Sequence, residues 1–248
     1  MSWDTGNGEA LGTHNSVGVN LPARTWYMPE GCSAYGFECW TLVENPGAQD
    51  ANITLTYMIE GAGAKPVKHR VPAHSRSTYN MEDDIGQKSA SIEVTSDVPV
   101  IPERSMYTYW KSPGTGESVR REGHESIGTT NPATDYYLAE GTTAWGFRTY
   151  VLIQNPNKTT AKVTLTYNTA KGEVSDKAFT MPAESRKTVY VNEAHPNVDL
   201  STHVHSNVPI IAERAMYWSA ERGTGNAMHD SIGVPAAHTT FEGQDDIR

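Results

Sequence analysis

The chain has 248 residues, with 20 Lys and Arg against 29 Asp and Glu, a formal charge of −9. That length supports one or two domains, and the acidic balance argues against nucleic acid or an acidic membrane surface as the main partner. Hydrophobic residues make up 37% and charged residues 20%, which is enough apolar material for a core and too little charge for a disordered chain.

No apolar run approaches the roughly 20 residues of a membrane helix, so no membrane span is expected. Met1 is followed by a polar, glycine-rich stretch without the apolar region of a signal peptide. Residues 1–23 read as the end of a preceding repeat. A His-x-Ser-(Ile/Val)-Gly pattern occurs three times, at His14 to Gly18, His124 to Gly128 and His229 to Gly233. Met1-Ser2-Trp3 precedes His14 with the spacing of Met216-Tyr217-Trp218 before His229.

A first module follows at 24–128. Phe37 to Val43 is rich in aromatic and β-branched residues and runs into the turn signal Asn45-Pro46. Asn52 to Ile59 alternates Thr with apolar residues, the signature of a half-buried strand. Val67 to Val71, Ser77 to Asn80, Ser89 to Thr95 and Val100 to Tyr109 supply further short strands, and no stretch carries a helical apolar stripe. The segment Ser126 to Thr134, with Gly128 and Pro132, links this module to the next and is short enough to restrict their orientation.

The second module, 129–233, repeats the first. Tyr150 to Ile153 and Lys162 to Tyr167 are its matching strands. A shift of 110 residues carries Tyr27-Met28-Pro29-Glu30-Gly31 onto Tyr137-Leu138-Ala139-Glu140-Gly141. The same shift carries Thr54-Leu55-Thr56-Tyr57 onto Thr164-Leu165-Thr166-Tyr167, and Glu103-Arg104 onto Glu213-Arg214. Residues 234–248 then open as a further repeat would, with Pro235-Ala236 and the shortened echo Thr240-Phe241-Glu242-Gly243. About seven short strands in about 100 residues predict an all-β fold of two tandem immunoglobulin-like β-sandwich modules.

The phrase Asp135 to Phe147, then Leu152-Ile153-Gln154-Asn155-Pro156-Asn157, Val208 to Trp218 and His229-Asp230-Ser231-Ile232-Gly233, resembles a bacterial repeat module of unknown function. That module is found in tandem in secreted and cell-surface proteins, notably of actinobacteria. The resemblance covers nearly all of both modules and implies an extracellular setting, a β-sandwich and no established catalytic activity. The first module departs from it at Met28-Pro29, Tyr35 and Pro102.

Cys32 and Cys39 are the only cysteines, and the second module has Thr142 and Thr149 in their places. This joint replacement implies neighbouring side chains, and in an oxidising compartment a disulfide closing a small loop. Two independent buried thiols are the alternative. Their spacing, without a second Cys/His pair, is no zinc signature, and no metal or cofactor is expected. The His and Ser of the His-x-Ser pattern share a strand face but are poorly aimed for proton transfer. The residue between them, Asn15, Glu125 or Asp230, supplies no third member of a triad, so no catalytic residue is assigned.

Glu103-Arg104 and Glu213-Arg214 are adjacent on strands and point to opposite faces. One of each pair is expected to face a neighbouring strand or the inter-module seam and to find an ionic partner there. Glu82-Asp83-Asp84 and Asn192-Glu193 occupy one loop in the two modules. Oxygen ligands there could bind calcium, but the spacing matches no calcium loop and a solvated turn is the default. Trp40, Tyr107, Tyr109, Trp110, Tyr150, Tyr217 and Trp218 would form a sugar platform if exposed in a row, and core or cross-strand pairs if buried.

The expected function is that of a non-enzymatic extracellular structural protein, a subunit of a surface layer, sheath or head-to-tail filament. A carbohydrate-binding or adhesive module is the alternative. In the filament version the partner is a second copy of the chain, joined through Trp3, His14, Ser16 and Gly18 at one end and Pro235, Thr239, Thr240, Phe241 and Gly243 at the other. His124, Ser126, Gly128 and Pro132 form the linker. Strand addition through main-chain hydrogen bonds would make the contact.

Overall fold

Strand β1 (Ser2–Asp4) pairs antiparallel with β2 (Ala10–Thr13), placing Trp3 opposite Gly12. These strands belong to a computed structural model that describes residues 2–4, 10–111, 118–219 and 226–235. The first module contains β3 (Ala23–Met28), β4 (Phe37–Asn45), β5 (Ala51–Ile59), β6 (Gly63–Val71) and β7 (Ser75–Asn80). A short helix, α1 (Met81–Ile85), and the long strands β8 (Ala90–Lys111) and β9 (Ser118–Ile127) complete it.

Alternation decides which face of each strand is buried. In β5 the side chains of Ile53, Leu55 and Tyr57 point inward while Asn52 is exposed. One layer has the order β6-β5-β8-β3 and the other β7-β4-β8-β9. The layers share β8. Its first part pairs with β5 as far as Ser96 and with β3 as far as Val100, and its second part, from Ile101, pairs with β4 and β9. The sequence predicts two strands here, Ser89 to Thr95 and Val100 to Tyr109, with Pro99 in the gap between them. Proline lacks an N–H, so it fits where the chain leaves one sheet for the other and no ladder bond is required.

The second module repeats this plan with β10 (Ala133–Leu138), β11 (Phe147–Asn155), β12 (Ala161–Thr169), β13 (Gly172–Ser175), β14 (Phe179–Met181) and β15 (Ser185–Tyr190). Helix α2 (Val191–Ala194), β16 (Leu200–Ser219), β17 (Asn226–Ile232) and β18 (Val234–Pro235) follow. The registers match. Trp26 faces Val94 and Tyr136 faces Val204, while Leu42 faces Glu103 and Leu152 faces Glu213. After β9 the chain returns to β3 at Thr129 opposite Tyr27, and after β17 it returns to β10 at Val234 opposite Tyr137. The all-β, two-sandwich architecture expected from sequence is the one observed.

Each module has its own apolar core, centred on Trp26, Leu55, Ile92 and Met106 in the first and on Tyr136, Leu165, Val204 and Ile211 in the second. The helices are a departure from the all-strand reading. Four or five residues are too few to show a periodic stripe, and the signal for α1 is Asn80, whose side chain accepts from the Glu82 N–H at 2.9 Å. Two members of these loops, Asp84 and Asn192, have structural partners. Asp84 accepts from the Tyr57 hydroxyl at 2.7 Å and faces His69, and Asn192 bonds the Thr149 N–H and the Phe147 carbonyl.

The expected disulfide is absent: Cys32 and Cys39 are free, buried thiols. The Cys32 sulfur lies 3.5 Å from the Ala34 carbonyl and 3.4 Å from the Ser89 hydroxyl. The Cys39 sulfur bonds the backbone of Cys32, and in the second module the Thr149 hydroxyl donates to the Thr142 carbonyl. Each side chain thus reaches back to the backbone of its partner position. The two positions are neighbours, but through a side-chain-to-backbone contact.

Candidate functional site: a buried ionic junction between the modules

Because side chains alternate along a strand, Arg104 on β8 points away from Glu103 and toward the second module. It is fully buried there. Its Nη1 and Nη2 donate to the two carboxylate oxygens of Glu213 on β16, each at 3.1 Å. Nη1 also donates to the Glu30 carbonyl at 3.0 Å, and Nη2 pairs with Asp230 on β17. Glu213 accepts from the Glu30 N–H at 2.8 Å, and the Tyr217 hydroxyl donates to the Glu30 carboxylate at 2.6 Å. His124 on β9 lies 3.0 Å from Asp230 and 3.5 Å from Glu30. First-module Glu30, Arg104 and His124 therefore interlock with second-module Glu213, Tyr217 and Asp230.

Around this centre the contact widens. Arg186 donates to the Gly31 carbonyl at 2.9 Å, and Thr188 donates twice to Glu60, through its N–H at 2.8 Å and its hydroxyl at 2.7 Å. The Gln154 amide meets the Met58 sulfur at 3.7 Å. Gly31 sits so close to β8 that a Cβ there would lie 2.5 Å from the Ala90 carbonyl oxygen.

Burial and charge oppose one another at every group. Burial acts against the charge of Arg104, but Glu213, Asp230 and Glu30 outweigh it and hold the guanidinium well above its ordinary value. Burial likewise acts against charged His124, and Asp230 and Glu30 outweigh it, so its pKa rises. For Asp230, His124 and Arg104 overcome burial and hold the carboxyl far below the ordinary range. Glu213 goes the other way. Burial, reinforced by the neighbouring Asp230, exceeds the pull of Arg104 and raises it to about 7. Burial and then Glu30 raise Tyr217, which stays a neutral donor.

Glu30, His124 and Asp230 bring three possible metal ligands within 4.8 Å of one another. The Arg104 guanidinium lies among them, 3.5 Å from Glu30 and in contact with Asp230. The cationic position is thus filled by a side chain. Chemically the cluster is a lock: moving one module against the other would strand buried charges, which is costly.

The sequence-predicted positions fall in several places. Of the linker residues, His124 is in the lock, Ser126 is buried opposite Arg104, Gly128 packs on Trp26, and Pro132 is half-buried. At the N-terminal end, His14 lies 2.7 Å from Glu125, Ser16 bonds Glu103, Gly18 is exposed, and Trp3 lies in β1. Pro235 lies in β18 opposite Tyr136, and Thr239, Thr240, Phe241 and Gly243 are outside the described residues. The expectation that one of each Glu-Arg pair finds an ionic partner at the seam is met by Arg104 and Glu213, which find each other. Nothing in the sequence pairs Glu30 or Asp230 with Arg104 directly. Their signal was recurrence, in Glu30/Glu140 and in the acid of the His-x-Ser pattern at Glu125 and Asp230.

Among the described residues, the aromatics that could have formed a sugar platform do not make a row of exposed rings. Tyr107 is buried, Trp40 is half-buried, Tyr150 stacks on Tyr190, Tyr217 belongs to the lock, and Trp218 donates to the Trp145 carbonyl. The side chains of Tyr109 and Trp110 are outside the described set.

Residues 121–212 match a family of unknown function (DUF5719). A crystal structure of Thermotoga maritima 1070 is 21% identical, covering 44% of this chain and 94% of its own, with a TM-score of 0.37. The Anabaena sensory rhodopsin transducer is 27% identical, covering 35% of this chain and 98% of its own, with a TM-score of 0.31. No curated protein matches the chain.

Proposed function

We propose that the chain is a non-enzymatic structural protein of the cell exterior, a section of a surface layer, sheath or head-to-tail filament built from stacked β-sandwich modules. One observation carries this reading. The contact of His124 with Asp230 at the module junction recurs one repeat earlier, where His14 meets Glu125. The acid follows the histidine of its own motif in both cases, so His-x-Ser-Ile-Gly is a stacking element, passing one histidine–carboxylate contact from repeat to repeat. A junction of this kind fixes orientation, which is what an array requires. The exterior setting rests on the resemblance of the repeat to modules of secreted and surface proteins.

Negative-stain electron microscopy of the purified chain tests the reading. End-to-end filaments or ordered sheets are the expected result. Isolated two-module particles at every concentration, together with retention on a polysaccharide matrix, would replace it with the carbohydrate-binding alternative.

A further inference from the structure

The first module receives the second on a surface formed by Glu30, Gly31, Met58 and Arg104. A shift of 110 residues turns these into Glu140, Gly141, Asn168 and Arg214. Glu140, Gly141 and Asn168 line a cleft of about 640 Å³ at the far end of the second module. Arg214 lies beside it, donating to the Glu140 carbonyl and carboxylate at 3.1 Å each. The receiving surface thus exists twice, and the chain itself fills the first copy.

The inserting surface also exists twice. Gln154, Arg186 and Glu213 of the second module correspond to Glu44, Arg76 and Glu103 of the first, where Glu44 and Arg76 are exposed and Glu103 is half-buried. We propose that the cleft of the second module receives the first module of a second copy of this chain; the inference rests on the assembly reading above. Glu103 of the incoming copy takes the place of Glu213, against Arg214 and the Glu140 N–H. Arg76 donates to the Gly141 carbonyl as Arg186 does to Gly31. Glu44 accepts from the Asn168 amide, a charge-assisted bond where the internal junction has only Gln154 on the Met58 sulfur. One contact is weaker, because Thr78 meets Ala170 where Thr188 meets Glu60.

The N-terminal hairpin has a defined part in this. Trp3 pairs with Gly12 as Trp218 pairs with Ala227, so β1–β2 copies the register of the last hairpin of the second module. Strand β2 lies on β9 as β9 lies on β17. Docking therefore exchanges the hairpin β1–β2 for the last hairpin of the neighbouring copy, and His229 replaces His14 on Glu125. The contact joins unlike faces and does not close on itself, which gives a filament.

Sedimentation velocity of the full chain over a concentration series is the test. Association is expected, and N168D should weaken it by about tenfold or more, because a carboxylate then faces Glu44. The double variant N168D/E44K should restore it. Both positions are exposed, and an unchanged thermal melt shows that the fold is intact. Association that ignores N168D overturns this cleft and leaves the assembly reading standing. A chain monomeric at all concentrations overturns both.

Discussion

Arg104 and Glu213 come from equivalent strands of the two modules and form a bidentate pair, with both oxygens 3.1 Å from a guanidinium nitrogen and both side chains out of solvent. Their sequence neighbours, Glu103 and Arg214, point the other way along the stack. Each Glu-Arg dipeptide therefore gives one charge to the junction between the modules and turns the other away from it.

Removing Arg104 alone should be severe. R104L leaves Glu213, Asp230 and Glu30 buried without their cation, and breaking such a network costs about 3–5 kcal/mol. Urea denaturation should show a large loss of midpoint. Neutralising the acids as well, in R104L/E213Q/D230N, should recover part of it. A single R104L variant as stable as the parent would remove the lock from the account.

Stability should fall as pH rises from mildly acidic values through neutrality. Glu213 is raised to about 7 and His124 is raised above 6.5, so both favour folding at low pH and lose that contribution as pH rises through their folded values. Asp230 is lowered from 3.8, so its contribution is present above that value and fades as pH falls toward its folded value. The junction is tightest between these limits. Urea midpoints at pH 6 and pH 8.5 should differ accordingly, and E213Q should shrink the difference.

The thiols should behave as free and shielded. Burial pushes Cys39 up to about 12, so the thiolate needed for alkylation is scarce in the folded chain. Native protein should resist iodoacetamide, while protein unfolded without reductant should take up a label at both cysteines. Intact mass reads the result, and unlabelled unfolded protein would restore the disulfide. C39T should fold normally, since Thr149 at the equivalent position is buried and bonds the Thr142 backbone.

Two glycines separate local freedom from packing. A Cβ on Gly31 meets the Ala90 carbonyl oxygen at 2.5 Å, whereas one on Gly18 meets nothing within 4 Å. G31A should lower the melting temperature by several degrees, for a cost of about 1–3 kcal/mol, and also disturb the Arg186 contact. G18A should be nearly silent.

The strand pattern, the repeat and its register were legible in the residues because they are local or near-local properties. Alternation in Ala51–Ile59 states which face is buried, and one unbroken register requires equal loops. The joint change of Cys32 and Cys39 to Thr142 and Thr149 correctly made these positions neighbours, but it could not tell a disulfide from one side chain bonded to the other residue's backbone. The same limit hid the lock. Arg104 and Glu213 are 109 residues apart, and nothing in either dipeptide states which of its two charges is turned toward the other module. Only the switch of β8 and β16 between sheets aims Arg104 at Glu213. The closure of one module on the other then removes water, and in that low dielectric an ordinary set of charges becomes a junction.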